Sequence, residues 1–230
     1  MRKSVENKLK EGFGTGTGKD YKPFIRVRDI SSSGTCSHFV NPYTGRAMEL
    51  LSQGEMEFAL LLLWDLDVID IREQYPLDLS ETLAICNKLD LKHPHNEKTP
   101  MTTDFLVTYK GGIDKAYSLK YARENILNRR SKEKLAIEKL YWNQKGIEWQ
   151  LVFRSDFNPI RIQNIRLALM YFNASSVHGI VSYTKHCVMH RIIEIDMDKK
   201  QNYLALSKQV EGEYKVWKKR IQSIQSKKEI

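Results

Sequence analysis

The sequence predicts an α/β protein, a mixed sheet with helices packed on it. Three observations carry that prediction. Between residues 52 and 153 the patterns run helix, strand, strand, strand, helix, strand, an order that buries both faces of a sheet under helices. The strand-like runs alternate or are rich in β-branched residues, and one stops at Pro76. A Gly111-Gly112 pair separates two of them, as in a hairpin.

The first helix is signalled by Ser52, an acidic residue three positions later at Glu55, and the apolar run 58–64. Ser52 and Glu55 fit a capping box, and capping alone accounts for Glu55 on local sequence. Residues 68–77 form an alternating strand, and 101–109 a second, buried one containing Asp104. After the Gly-Gly turn, 116–121 forms a third strand, in which Ser118 and Lys120 point to one face. Pairing with the preceding strand brings Asp104 beside them. Residues 131–146 read as a helix with apolar positions Leu135, Leu140 and Trp142, ended by Gly146, and 149–153 as a further strand.

Composition bounds the function. A chain of 230 residues can bury a full core, and its length suits one domain plus a small second one. No apolar run approaches a membrane span, and no apolar signal region follows the charged N-terminus. The expectation is a soluble, intracellular protein. Cys36, Cys86 and Cys187 are odd in number and far apart, which argues for packing roles in a reducing compartment. The net charge of +9 is concentrated at the ends. Residues 1–28 hold eight Lys/Arg against three Asp/Glu and residues 199–230 nine against three, whereas the middle holds 20 against 22. Such ends suit contact with phosphate backbone, and equally suit solvated arms.

Glu55, Asp104 and the Ser118-Leu119-Lys120 tripeptide together have the composition of a metal-dependent nuclease site. Phosphodiester hydrolysis adds negative charge to the phosphate and needs an activated water. Carboxylates hold a hard cation that neutralises the charge, and a lysine orients or deprotonates the water.

The element order is also that expected of a restriction-endonuclease-like core. Residues 10–23, 49–55, 69–77, 92–94, 101–107 and 141–149, in that order, resemble TnsA, the endonuclease subunit of bacterial heteromeric transposases. The resemblance places the family's catalytic glutamate, aspartate and lysine on Glu55, Asp104 and Lys120. It implies Mg²⁺, with Mn²⁺ substituting, held by Glu55, Asp104 and the Leu119 carbonyl. The family's metal-binding glutamine is replaced here by Ser118, a shorter and weaker oxygen ligand. The family cuts the 5′ strands at transposon ends while a TnsB-like transposase cuts and joins the 3′ ends and a TnsC-like ATPase conveys target choice. Relatives also occur in transposons directed by CRISPR complexes. The expected partners are therefore transposon-end DNA, the TnsB-like transposase and the TnsC-like regulator, without a membrane, in the bacterial cytoplasm. A stand-alone restriction or repair nuclease of the same fold, or a scaffold weakened at Ser118, remains open on the residues.

The resemblance also implies domain limits: a basic N-terminal arm with a Gly-rich loop over 1–30, a restriction-endonuclease-like catalytic domain over 31–158, and a trimmed, mainly helical, winged-helix-like domain over 159–230 that binds partner or DNA. In the last, Lys215, Lys218, Lys219 and Arg220 interleave with Tyr214 and Trp217, a pattern that fits phosphate contact with stacking and fits an amphipathic surface helix as well. Lys19 and Arg72 are further candidate DNA or partner contacts. The glycines at 12, 14, 16 and 18 before Lys19 superficially match a phosphate-binding loop, but no strand precedes them and Asp20 follows, so a flexible loop near DNA or partner is expected. His178, His186, Cys187 and His190 match no zinc spacing. Lys92-His93-Pro94-His95 reads as a supporting turn.

Overall fold

The structure is a computed structural model that describes residues 4–30, 37–94 and 98–226. Cys36 and His95 lie outside the described residues. The chain divides into two compact units, Met1–Phe157 and Asn158–Ile230.

The first unit runs α1 (Val5–Lys10), β1 (Ser37–Val40), β2 (Ala47–Leu50), α2 (Gln53–Trp64), β3 (Val68–Pro76), α3 (Leu79–Lys88), β4 (Thr102–Tyr109), β5 (Ile113–Lys120), α4 (Arg129–Gln144) and β6 (Glu148–Phe153). Strands β1 and β2 form a separate hairpin; the main sheet has the order β3-β4-β5-β6. Pairs β3-β4 and β4-β5 are antiparallel, the second joined through Gly111 and Gly112, both with positive φ. Pair β5-β6 is parallel, because α4 supplies the crossover that returns the chain to the same end.

Alternation along the strands divides the core. Leu106 and Ala116 face α3 and α4, packing with Leu77, Ile85, Ile137 and Trp142. Phe105 and Tyr117, one residue along in each strand, face α2, whose Phe58 ring lies 5.5 and 5.1 Å from theirs. Helix α2 buries Met56, Phe58, Ala59, Leu60, Leu62 and Leu63, nearly its whole circumference, as its unbroken apolar run requires. The buried stripe of α4 is Ile137, Glu138, Tyr141 and Trp142. Of the apolar positions expected there, Trp142 is buried, while Leu135 and Leu140 are only half-buried. Helix α3, capped by Asp78 and burying Thr82, Ile85 and Cys86, and the β1-β2 hairpin were not anticipated.

Residues 4–30 dock on this unit and do not stand off as an arm. The Lys8 ammonium is buried and donates to the Phe24 carbonyl (2.8 Å) and Asp29 (2.7 Å). Gly18 N–H donates to Asp70, Tyr21 Oη to the Glu73 carbonyl, and Phe24 N–H to the Gln74 carbonyl. Gly14, at φ +83°, lies so close to Pro76 that a Cβ would sit 2.2 Å from its Cγ. At this position the glycine serves close packing against β3.

A buried ion pair fastens the hairpin, the N-terminal segment and β3 together. Both oxygens of Glu73, which is 0 % exposed, accept from Arg46 (2.5 and 2.7 Å). Arg46 also donates to the Gly18 and Ile71 carbonyls and stacks over Tyr21, while Glu49 N–H donates to Glu73.

The second unit contains α5 (Pro159–Leu169), α6 (Ile180–Met189), α7 (Tyr203–Leu206) and α8 (Glu211–Ser226). Asn158 caps α5, with Pro159 in the first turn. Ile162, Ile165, Ala168, Cys187, Val188 and Met189 are buried. The unit is helical, and no strand that would form a wing occurs among its described residues. Cys86 and Cys187 are buried free thiols. Among the described residues no helix is long and apolar enough to cross a membrane.

Replacing Arg46 by Met strands the Glu73 carboxylate in the interior, and we expect a loss of about 3–5 kcal/mol in urea unfolding. The double variant Arg46→Met/Glu73→Leu should recover most of that loss. An unchanged midpoint for Arg46→Met would contradict the role of the pair.

Candidate active site

The site is built where β4 and β5 part. Their pairing ends at Phe105 and Tyr117, so the next β5 donors lack a β4 carbonyl. Asp104 takes over: its Oδ2 accepts from Leu119 N–H at 2.6 Å. Lys120 Nζ donates to the Leu119 carbonyl at 2.8 Å. β5 stays straight through this region because its parallel pairing with β6 continues to Lys120–Phe153.

Glu55 reaches the same place from the start of α2. Ser52 Oγ accepts from Glu55 N–H (3.1 Å) and caps the helix. The Glu55 carboxylate in turn accepts from Leu51 N–H (2.9 Å), Ser52 Oγ (3.1 Å) and Gln74 Nε2 (3.1 Å). It therefore caps and faces Asp104 at once. Glu55, Asp104, Leu119 and Lys120 line one open cavity of about 550 Å³, together with Asn125 and Arg154.

Gln74 was not anticipated from sequence. It lies on β3 between the pairs Glu73–Phe105 and Tyr75–Thr103, opposite Asp104. Its φ of 50° places a non-glycine in the left-handed region, a strain of about 1–3 kcal/mol. The backbone carbonyl is held by Phe24 N–H and the side chain by Glu55 and Thr102.

Glu138 on α4 is the second unanticipated residue. It is buried, and its Oε1 accepts from Thr103 Oγ1 and from Ser118 Oγ (2.5 Å). Trp142 and Trp149 donate in turn to those two hydroxyls (2.7 and 3.3 Å). Ser118 thus bonds Glu138, with Trp149 behind it. Glu138, Asp104 and Lys120 line a second cavity of about 260 Å³. The sequence signal was available: a glutamate on the stripe of Ile137, Tyr141 and Trp142.

Electrostatics sets these carboxyls apart from surface ones. Burial and the Asp104 charge push Glu55 up to about 8. Burial raises Asp104 against the opposing pull of Lys120 and the Leu119 N–H. Burial and Asp104 raise Glu138 to about 7. Asp104 thus adds to the shifts of Glu55 and Glu138, while Lys120 opposes the shift of Asp104 itself. Among the described residues no three His, Cys, Asp or Glu side chains form a preformed cage. Two carboxylates and a backbone carbonyl on an open cavity suit Mg²⁺, which keeps several waters and takes one or two carboxylates.

The other expected contacts fall elsewhere. Lys19 is exposed on a short 3₁₀ turn. Arg72 is spent inside the sheet, donating to Thr108 (2.7 Å) and Asp114 (2.9 Å). On α8, Tyr214 and Trp217 pack on Tyr183 at 5.4 and 5.2 Å, and Lys215, Lys218, Lys219 and Arg220 point outward as on an amphipathic surface helix. Lys215 pairs with Glu211. His186 and His190 bond the Tyr171 and Phe172 carbonyls, and Cys187 is core.

Residues 65–153 match the family model described as TnsA-like endonuclease N terminal. Asp104, Lys120 and Glu138 lie in that segment; Glu55 precedes it. The chain is also 38 % identical over 164 residues to the Transposon Tn7 transposition protein TnsA of Escherichia coli. The similarity covers 70 % of this chain and 60 % of that protein's length, so the chain spans less than two thirds of its relative.

Glu55 keeps its proton in the fold between its ordinary 4.5 and about 8, where the unfolded chain has released it. Its contribution therefore makes stability fall as pH rises through that window. Thermal unfolding without divalent cation should show this fall reduced in Glu55→Gln. At the upper end Mg²⁺ should raise the Tm of the wild type and leave Asp104→Asn unmoved; equal shifts in both would rule out Asp104 as a ligand.

Proposed function

We propose that this chain, whose residues 65–153 belong to the TnsA-like endonuclease family, is the Mg²⁺-dependent DNA endonuclease subunit of a heteromeric transposase. It hydrolyses the 5′ strands at transposon ends, with Mn²⁺ able to replace Mg²⁺. A TnsB-like transposase handles the 3′ ends and a TnsC-like ATPase regulates the assembly. The observation that carries this reading is the meeting of Glu55, Asp104 and Lys120, from three separate elements, in one cavity. The similarity to a named transposition protein supports the biological setting.

In this reading Glu55, Asp104 and the Leu119 carbonyl hold the cation. Bound there, Mg²⁺ supplies charge neutralisation at the phosphate and acidifies water. Asp104 does two jobs: Oδ2 is fixed by Leu119 N–H, which orients the carboxylate and leaves Oδ1 for the ion. The Lys120 ammonium donates to the Leu119 carbonyl; with the cation on that oxygen it would turn to the phosphate, orient the attacking water and offset charge in the transition state. Glu138 is held by the Ser118 and Thr103 hydroxyls and acts as a positioning residue behind Asp104 and Lys120.

The test is cleavage of supercoiled transposon-end DNA with a TnsB-like transposase and a TnsC-like ATPase. Asp104→Ala should abolish 5′-strand cutting while 3′ cutting persists. Lys120→Ala should slow 5′ cutting by about 10²–10⁴-fold. Unchanged 5′ cutting by Asp104→Ala would refute the site. Cutting by the chain alone, without partners, would make it a stand-alone nuclease instead.

A further inference from the structure

Three carboxyls in one site repel a phosphodiester strand, and a bound cation offsets this only at the scissile phosphate. The neighbouring phosphates need their own counter-charges. Two cavities meet at Asp104 and Lys120, which line both. One runs toward α4 and the other toward the start of α2 and the end of β6, and each holds one cationic side chain besides Lys120.

On the α4 side that side chain is Lys134. It shares a helix face with Ser131, Leu135 and Glu138, all lining the smaller cavity. Arg129 and Arg130, nearer the start of the helix, are engaged by Glu133. Lys134 is exposed and has no ion-pair partner among the described residues. On the other side the cation is Arg154, whose Nε and Nη2 are held by Glu57 at 2.8 and 2.9 Å. Its guanidinium lies over the ring of Tyr121, itself 65 % exposed at the cavity edge. The Arg154 side chain crosses the first turn of α2 at Gly54, where an added Cβ would meet it in ordinary van der Waals contact. Glu57 fixes Nε and Nη2 and Tyr121 flanks the guanidinium, so the side chain is presented to the cavity in a preset orientation.

We propose that the two cavities form one path for a single DNA strand, with Lys134 and Arg154 contacting the phosphates on either side of the one that is cut. The proposal rests on the nuclease reading of the site. It assigns the backbone grip to the first unit, on residues absent from the basic ends of the chain.

The test is the salt dependence of binding to a fluorescein-labelled random-sequence duplex, read by anisotropy in Ca²⁺. Lys134→Gln and Arg154→Gln should each lower the magnitude of the slope of log K against log salt by about 1, and together by about 2. Arg154→Lys should keep the slope, and Lys132→Gln, on the same helix but outside the cavity, should leave it unchanged. Wild-type slopes in Lys134→Gln and Arg154→Gln, an equal drop in Lys132→Gln, or no salt-dependent binding by the wild type would each overturn the path. Cleavage by Asp104→Ala separates the two readings. Loss of cutting with unchanged slopes removes the path and keeps the nuclease. Persistent cutting with lowered slopes removes the catalytic assignment and leaves a DNA groove.

Discussion

The hydrogen bond from Leu119 N–H to Asp104 is the interaction on which the site depends. Two antiparallel strands that remained paired to their ends would turn Asp104 and Lys120 into ordinary ladder positions. Parting them at Phe105 and Tyr117 exposes backbone groups that must find partners in a largely buried place. The Asp104 carboxylate satisfies one and the Lys120 ammonium another, so the side chains we propose for the chemistry also close the gap they occupy. Parallel pairing to β6 keeps β5 from following β4 away. The topology and the cavity therefore have one cause.

Around this gap the protein concentrates unfavourable charge. Glu55, Asp104 and Glu138 are all shifted toward their neutral forms by burial, and Asp104 adds to the shift of the other two. Hydrogen bonds from Leu51, Ser52, Gln74, Ser118 and Thr103 hold the carboxyls in place without neutralising them. That arrangement costs stability in isolation and favours a divalent ion on binding. The strained backbone of Gln74, gripped by the N-terminal segment, is part of the same arrangement.

Much of this was legible in the sequence. The hairpin and its Gly-Gly turn, the helix start at Ser52, and the placing of Asp104 beside Lys120 follow from period-two patterning, capping chemistry and turn residues, all local signals. The docking of residues 4–30 was not legible, because Gly14 against Pro76 and Lys8 against Asp29 are long-range fits that leave no local trace. Arg72 was a candidate DNA or partner contact; its partners Thr108 and Asp114 sit on other strands. Glu138 was hidden in a run of lysines, although its place on a buried stripe marked it. Ser118 looked like a loss of a ligand when compared with a glutamine. In three dimensions its hydroxyl donates to Glu138.

The contact between Phe24 N–H and the Gln74 carbonyl bears on where the smallest working fragment begins. The family-model match starts at residue 65, yet a piece cut there would lack Glu55, would leave Glu73 without Arg46, and would free Gln74 from its backbone restraint. The boundary that homology draws and the boundary that the chemistry needs are about forty residues apart, as a count from Phe24 to the start of the match shows.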